Sequence, residues 1–254
     1  MGRKGPAGHI RRYAAPVHWP ISPKADFWAI KPLPGPHPIH DSLPLAYIIR
    51  DVLGYATNVR EVKHILNAGS IKIDGKPRHD YHYPVGVMDV IEITPTASYY
   101  RVLPHHITKL QLHTIDKDEA AFKLARVENK TTQRSGTTQL NLHDGHAILL
   151  KKKRKDAENT STIKTNDVLK LTLPSGEIEE TITFEKGAYA VTLGGKNMGA
   201  TGKIVNIKPG LRKNRSLITL ETSKGETFQT SLNYVFLLGS SKPVITMPAQ
   251  VPAQ

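Results

Sequence analysis

Cysteine is absent from the 254 residues, which excludes a disulfide framework, a thiolate zinc site and a cysteine nucleophile, and fits a reducing compartment. Long apolar runs are absent too, and none approaches the roughly 20 residues of a membrane-spanning helix. The start Met1 to Lys4 is basic, but Pro6, Pro16, Pro20 and Pro23 interrupt all that follows, so no secretory signal is expected. Pro6 stands where a myristoylation motif needs Ser or Thr. The expectation is a cytoplasmic chain without a membrane anchor.

Acidic residues are scarce: 22 Asp and Glu face 35 Lys and Arg, a net charge of +13. A surface with that excess repels itself and suits a polyanion. Phosphate backbones fit best, because each neutralised phosphate releases condensed counterions; anionic membrane is the weaker alternative. At roughly 100 to 200 residues per domain the length implies two or more units, and 39% apolar residues suffice for their cores.

Residues 1–40 carry eight of the prolines, which fix backbone angles and remove donors, so no regular element can run far. Arg3, Lys4, Arg11, Arg12, Lys24 and Lys31 face one acid there, Asp26, with Trp19 and Trp28 interleaved. A solvated, disordered terminus is as common for such a stretch as a partner-ordered arm. The two tryptophans favour ordering on a partner. Leu45, Ile48, Ile49 and Val52 then fall at helical spacing over Ser42 to Gly54. A second helix starts at Asn58 with Glu61 three residues on, carries Val59, Val62, Ile65 and Leu66, and stops at Gly69. Ile71 to Ile73, the Asp74-Gly75 turn and a strand through Val87, Val90, Ile91 and Ile93 complete a compact unit.

From about Ser98 the pattern is β-rich, with Asp116 to Lys123 the main helical exception. Leu140 and Leu142 are separated from Ile148 to Leu150 by His143, Asp144, Gly145 and His146, a hairpin around an Asp-Gly turn. Leu169, Leu171 and Leu173 alternate with polar residues before the Pro174-Ser175-Gly176 turn. Five short strands follow, over 188–193, 202–208, 217–222, 226–230 and 234–238, and suggest a small barrel. The tail after Ser241 is expected to be loose.

The stretch Gly194 to Lys203 is glycine-rich, yet Asn197 breaks both the P-loop and the dinucleotide pattern. Gly199 to Gly202 matches the GxxG clamp of KH domains only formally, since strands and not helices flank it. A turn between barrel strands remains. His79 with His82, and His143 with His146, sit beside turn signals and lack a third ligand, so a turn role outweighs zinc. No catalytic frame can be named. The run Lys151, Lys152, Lys153, Arg154, Lys155 is ordinarily a solvated loop; in this basic chain, with Lys203, Lys208, Arg212, Lys213 and Arg215 around the barrel and Lys72, Lys76 and Arg78 in the first unit, phosphate contact gains weight. Arg60, Lys63, His64 and Asn67 oppose the apolar stripe of the second helix, a face that is either merely solvated or turned to RNA.

Several segments occur together in a distinctive order. They are His9, Arg11, Arg12, Ala15, Pro16 and Trp19; Pro34 to His37; Ser42 to Leu45; Asp74, Gly75, Lys76, Arg78, Asp80 and Pro84; Gly86 and Met88 to Ile91; Gln139 to Gly145; and Gly194 to Asn197 with Gly199, Gly202 and Ile204. In that order, over nearly the whole chain, the sequence resembles the archaeal and eukaryotic family of small-subunit ribosomal protein four, distinct from the bacterial protein of the same number. The resemblance implies an α+β, β-rich multidomain fold. Its parts would be a basic arm (1–40), a helix-turn-helix-like RNA-binding module (41–97), a central β domain (98–176), a KOW-type SH3-like barrel (177–240) and a loose tail (241–254).

It further implies a non-catalytic structural constituent of the small subunit, monomeric within the ribosome. The partners would be small-subunit rRNA and neighbouring ribosomal proteins, with no cofactor, metal or small-molecule substrate. Arg60, Lys63, His64, Lys72 and Lys76 would lie on or near the RNA face of the first module, although related modules carry more Arg on this helix than His64 provides. Together with the charge pattern, the expected rRNA-binding set adds Arg3, Lys4, Arg11, Arg12, Trp19, Arg78, Lys151 to Lys155, Lys196, Lys203, Arg212 and Lys213. The alternatives are a non-ribosomal RNA-binding translation or transcription factor and, in another class, an RNA-modifying enzyme such as a pseudouridine synthase, for which the β-rich remainder offers no catalytic frame.

Overall fold

The computed structural model describes residues 8–22, 24, 26–133, 137–150, 163–211, 215–222 and 225–248. In the arm, β1 (Ile10–Arg11) and β2 (Trp28–Ala29) pair antiparallel, which is as much regular structure as the prolines permit. Next, β3 (Ser42–Pro44) leads into α1 (Leu45–Tyr47), which continues as a π-helical turn over Ile48–Val52. The amphipathic helix expected over 42–54 is therefore wrong in form. Leu45 through Ile49 are buried on all sides, beneath the arm as well as against the sheet, and the wide π turn carries Val52 out to 45% exposure.

Helix α2 (Val59–Asn67) starts where its cap places it: the Asn58 side chain accepts the Arg60 and Glu61 amides at 3.1 and 3.3 Å. Glu61 reaches back to the Thr57 amide at 2.7 Å, and Val62 and Leu66 enter the core. Strand β4 (Ile71–Ile73) turns through Asp74 and Gly75, at φ of 52° and 73°, into β5 (Lys76–Pro77). That double left-handed turn suits an Asp-Gly pair. After β6 (Pro84–Gly86), β7 (Val90–Ile93), β8 (Ser98–His105) and β9 (Lys109–Ile115) complete a sheet in the order β5-β4-β7-β8-β9, while β6 pairs with β3. The turn over residues 94–97 joins β7 to β8 within this one sheet.

The segment Asp116 to Lys123 yields only a single turn, α3 (Lys117–Ala120), before β10 (Phe122–Thr132). β10 joins β11 (Thr138–Leu142), β12 (Ala147–Leu150), β13 (Val168–Thr172) and β14 (Ile178–Ile182) in the order β12-β11-β10-β13-β14. The third unit then begins at β15 (Tyr189–Thr192), later than residue 177, and adds β16 (Thr201–Lys208), β17 (Leu217–Glu221), β18 (Thr227–Ser231) and β19 (Val235–Gly239). These are the five strands read from the sequence. Their order β18-β17-β16-β15-β19 brings the first and last strands together. The tail is not loose over its described part, because Ile245 is buried in the third unit's core and Thr246 donates to the Glu119 carboxylate at 2.7 Å.

The units are fused. Along β10, Leu124 and Arg126 face the third unit while Ala125 and Val127 face the middle core, as strand alternation requires. Met88 of the β6–β7 turn and Leu103 of β8 also enter the third unit's core. At the junction the buried Lys123 ammonium meets Asp89 at 2.6 Å, Asp74 at 2.7 Å and Asp144 at 3.1 Å. Each carboxylate is itself fixed by a backbone amide: Asp74 by Val90, Asp89 by Gly86 and Asp144 by His146. His37 from the arm donates from Nε2 to Asp89 at 3.1 Å, and Gly86 lies so close to the His37 ring that no side chain fits there. Burial opposes the charge of Asp89, but Lys123 and His37 outweigh it and hold the carboxyl below its ordinary range. Burial likewise opposes the charge on Lys123, and the three aspartates outweigh it, keeping the ammonium above its usual value. Asp74 moves the other way, raised by burial and by the charge of Asp89.

Replacing Lys123 leaves these carboxylates buried without a counter-charge. Lys123→Met is expected to lower the unfolding free energy by about 3–5 kcal/mol in urea titrations, the usual loss when one partner of a buried pair is removed. An unchanged midpoint would show that the cluster does not hold the units together. A pH dependence follows from His143, whose Nδ1 accepts the Arg126 amide at 3.2 Å while Nε2 faces the Val87 carbonyl at 3.3 Å, a pattern that requires the neutral ring. Enclosure beside His37 and Phe236 lowers its pKa from 6.5 to about 4, with the Lys123, His37 and Arg126 charges adding to the shift against Asp144. Between those values the unfolded chain binds more protons than the fold, so stability falls as pH drops through this window. His146, raised by its bond to Asp144, contributes fully below 6.5 and so does not offset that loss. His143→Asn should flatten the decline of the urea midpoint between about pH 6.5 and about pH 4; an identical slope would refute the assignment.

Candidate nucleic-acid interface

Helix α2 presents Arg60, Lys63, His64 and Asn67 to solvent on the side opposite Val62 and Leu66. The loop after β5 lies against this helix. His79 donates from Nδ1 to the Leu66 carbonyl at 2.9 Å, and the Lys63 ammonium sits 4.7 Å from the centre of the Tyr81 ring. Lys76 is exposed on β5, and the Arg78 guanidinium lies 4.5 Å from the Tyr83 ring. Helix and hairpin thus carry Arg60, Lys63, His64 and Lys76 at the surface of the module, while Arg78 is half-buried. Among the described residues, Arg60, Lys63 and Lys76 make no ion pair. Lys72 differs, because its cross-strand neighbour Glu92 holds its ammonium at 3.0 Å.

Several cations that composition would assign to a nucleic-acid surface serve the fold instead. Arg101 is buried against the Glu119 carboxylate at 3.3 Å and donates to the Glu119 and Phe122 carbonyls. Arg126 pairs with Glu128 and donates to the Asn233 and Val235 carbonyls, clipping β10 to the third unit. Lys109 bridges to Asp41 at 2.7 Å. Lys109, Asp41, Arg126 and Glu128 line a cleft of about 430 Å³ between the units, and their charges are spent on one another.

Lys196 and Lys203 are exposed on the third unit, the first in the glycine-rich turn and the second on β16. Gly199 of that turn packs against the Pro104 carbonyl, where an added Cβ would come within 3.0 Å. Its left-handed φ of 79° and this close approach to β8 both favour glycine there, and the turn is a joint between units. The histidine pairs are engaged as well, His82 with the Lys31 carbonyl at 2.6 Å and His146 with Asp144 at 3.1 Å.

One expected RNA contact is overturned. Trp19 is only 4% exposed, packs 5.7 Å from Tyr47 and donates from Nε1 to the Ser42 carbonyl at 2.9 Å. Its ring is a wedge that fastens the arm to the first module, so neither face can stack on a base. The arm is thus ordered on its own chain over residues 8–22. Arg11 and Arg12 stay at the surface, accompanied by Tyr13, Phe27 and Trp28, aromatic neighbours that the expected set omitted. Alternation within β1 and β2 was the available signal, but a two-residue strand is too short to be read. Arg3, Lys4, Lys151, Lys152, Lys153, Arg154, Lys155, Arg212 and Lys213 lie outside the described residues.

Three domain families match the chain in succession: the RS4NT (NUC023) domain over residues 4–40, the S4 domain over 44–91 and Ribosomal family S4e over 96–178. The small ribosomal subunit protein eS4 of Staphylothermus marinus is 45% identical over 248 residues, 98% of each chain. That of Methanothermobacter thermautotrophicus is 45% identical over 242 residues, covering 94% of this chain and 96% of its own. The crystal structure of the 30S ribosomal protein S4e from Thermoplasma acidophilum superposes with a TM-score of 0.65 at 32% identity, covering 79% of this chain and 96% of that one.

The division between structural and surface residues can be measured. Trp19→Ala should cost about 3–5 kcal/mol in urea unfolding, as for a large aromatic removed from a core. Trp28→Ala and Arg60→Gln should each stay within about 0.5 kcal/mol. Equal losses at Trp19 and Trp28 would contradict the assignment.

Proposed function

Because the chain belongs to the ribosomal S4e family, whose members are non-catalytic ribosomal constituents, we propose that it is a structural component of the small subunit that holds folded rRNA. The observation that carries the RNA-binding part is the exposed surface of Arg60, Lys63, His64 and Lys76 on the S4-type module, with Arg78 half-buried against the Tyr83 ring. Folded RNA is largely A-form and hides its base edges in a deep, narrow groove, so a surface of this kind recognises backbone and shape. Lys196 and Lys203 would extend the contact onto the third unit, whose strand order supports a KOW-type SH3-like barrel. Lys72, already neutralised by Glu92, would contribute less than its position in sequence implies.

Neighbouring ribosomal proteins and small-subunit rRNA are the partners of this reading, with the ribosome as its location. Purified protein should bind rRNA fragments with a steep salt dependence, each phosphate contact adding roughly 0.7 to 0.9 to the log-log slope. Replacing Arg60, Lys63 and Lys76 together by Gln should reduce the slope by roughly 2 to 3, whereas Lys72→Gln should change it by less than one contact. A flat salt dependence, or a triple variant that binds like the parent, would sink the backbone-clamp reading.

A further inference from the structure

The arm carries a second exposed feature with its own chemistry. In the β1–β2 ribbon Ile10 pairs with Ala29 and Arg11 with Trp28. Ile10 and Ala29 pack into the first core, so alternation turns Arg11 and Trp28 outward as a cross-strand pair. The Arg12 amide donates to the Phe27 carbonyl at 3.2 Å and closes the ribbon, leaving Tyr13 beside it at 94% exposure. Phe27 and Trp28 are 61% and 53% exposed and meet edge-on at 4.9 Å. His9 lies 5.7 Å from Trp28, the Arg11 guanidinium 5.4 Å from the Phe27 ring and that of Arg12 5.8 Å from Tyr13.

Open aromatic faces interleaved with guanidinium groups are what unpaired nucleotides need, since bases stack on the rings while phosphates meet the cations. A duplex has no free base faces to offer and would leave the rings wet. The ribbon is also pre-formed: Trp19, wedged in the first core, pins the loop between its strands, so ordering costs are met before a ligand arrives. Asp26, exposed and next to Phe27, sets one edge of the cationic surface.

We propose that the outer face of this ribbon is a stacking platform for unpaired RNA nucleotides, with Phe27 and Trp28 receiving bases and Arg11 and Arg12 the flanking phosphates. The proposal rests on the RNA-binding reading above and adds the strand state of what the arm holds: single-stranded here, helical at the S4-type module.

The two tryptophans make the test direct, because one is buried and the other exposed. The full chain would be titrated with fluorescently labelled oligo-adenylate and, separately, with an RNA duplex of matched length. Binding is followed by anisotropy and stacking by tryptophan emission. Oligo-adenylate should quench the emission and the duplex should leave it nearly unchanged. Trp28→Phe should remove the quenching while keeping most of the affinity. Trp28→Ala should weaken oligo-adenylate binding about fivefold or more, the loss of one base–aromatic stack, and duplex binding by less than about twofold. Oligo-adenylate binding without quenching, or equal losses for both RNAs in Trp28→Ala, would overturn the platform and leave the clamp intact. Binding of neither RNA would overturn the RNA-binding reading from which it starts.

Discussion

Taking the Lys123 ammonium out of water is unfavourable by several kcal/mol, and only carboxylates placed around it offset that. Three turns therefore have one mutual arrangement: the β4–β5 turn with Asp74, the β6–β7 turn with Asp89 and the β11–β12 turn with Asp144. The arm is drawn into the same arrangement through His37. A buried cluster of this kind is poor evidence of high stability, since apolar side chains of equal volume could do as well. Its value is directional. Apolar cores tolerate small rotations of one unit against another, whereas an ammonium with three fixed acceptors does not.

That directionality reaches the outer surface. Arg126 clips β10 to the third unit and Arg101 clips α3 to the first sheet, so the cations of the α2 face and of the glycine-rich turn sit on one rigid frame. Phosphates in folded RNA are spaced by the RNA's own helices, and a rigid array loses little further entropy when it meets them. The same cations on tethered units would bind RNA, but with less discrimination of shape.

Much of the frame was legible in the sequence where local rules decide. The period-two strands of the third unit, the Asn58 cap, the Asp74-Gly75 turn and the outward face of Arg60, Lys63 and His64 all follow from neighbours within a few residues. Pairing between units does not. Nothing near Ser98 says that β8 continues the first sheet, and nothing near Trp19 or Trp28 says which ring is buried, because both sit in proline-rich chain without a readable period. Lys123 looked like any other surface lysine in a chain with 35 Lys and Arg. His37, Asp74, Asp89 and Asp144 all lie in segments that carried the family resemblance, yet their common purpose as one joint appears only in three dimensions.

The joint also bears on how net charge should be read. An internal ion pair removes one cation and one anion together, so the pairs at Lys72, Arg101, Lys109 and Arg126 leave the excess of 13 untouched. The Lys123 cluster goes further, holding three carboxylates against one ammonium. On the formal count, which leaves every histidine out, it withdraws more acid than base from the surface, and the remainder of the molecule is more cationic than its formal charge. Fixing the units together and concentrating positive potential on their outer faces are thus achieved by the same few side chains. A chain that buried its acids less selectively would need more lysines outside to present the same field to phosphate.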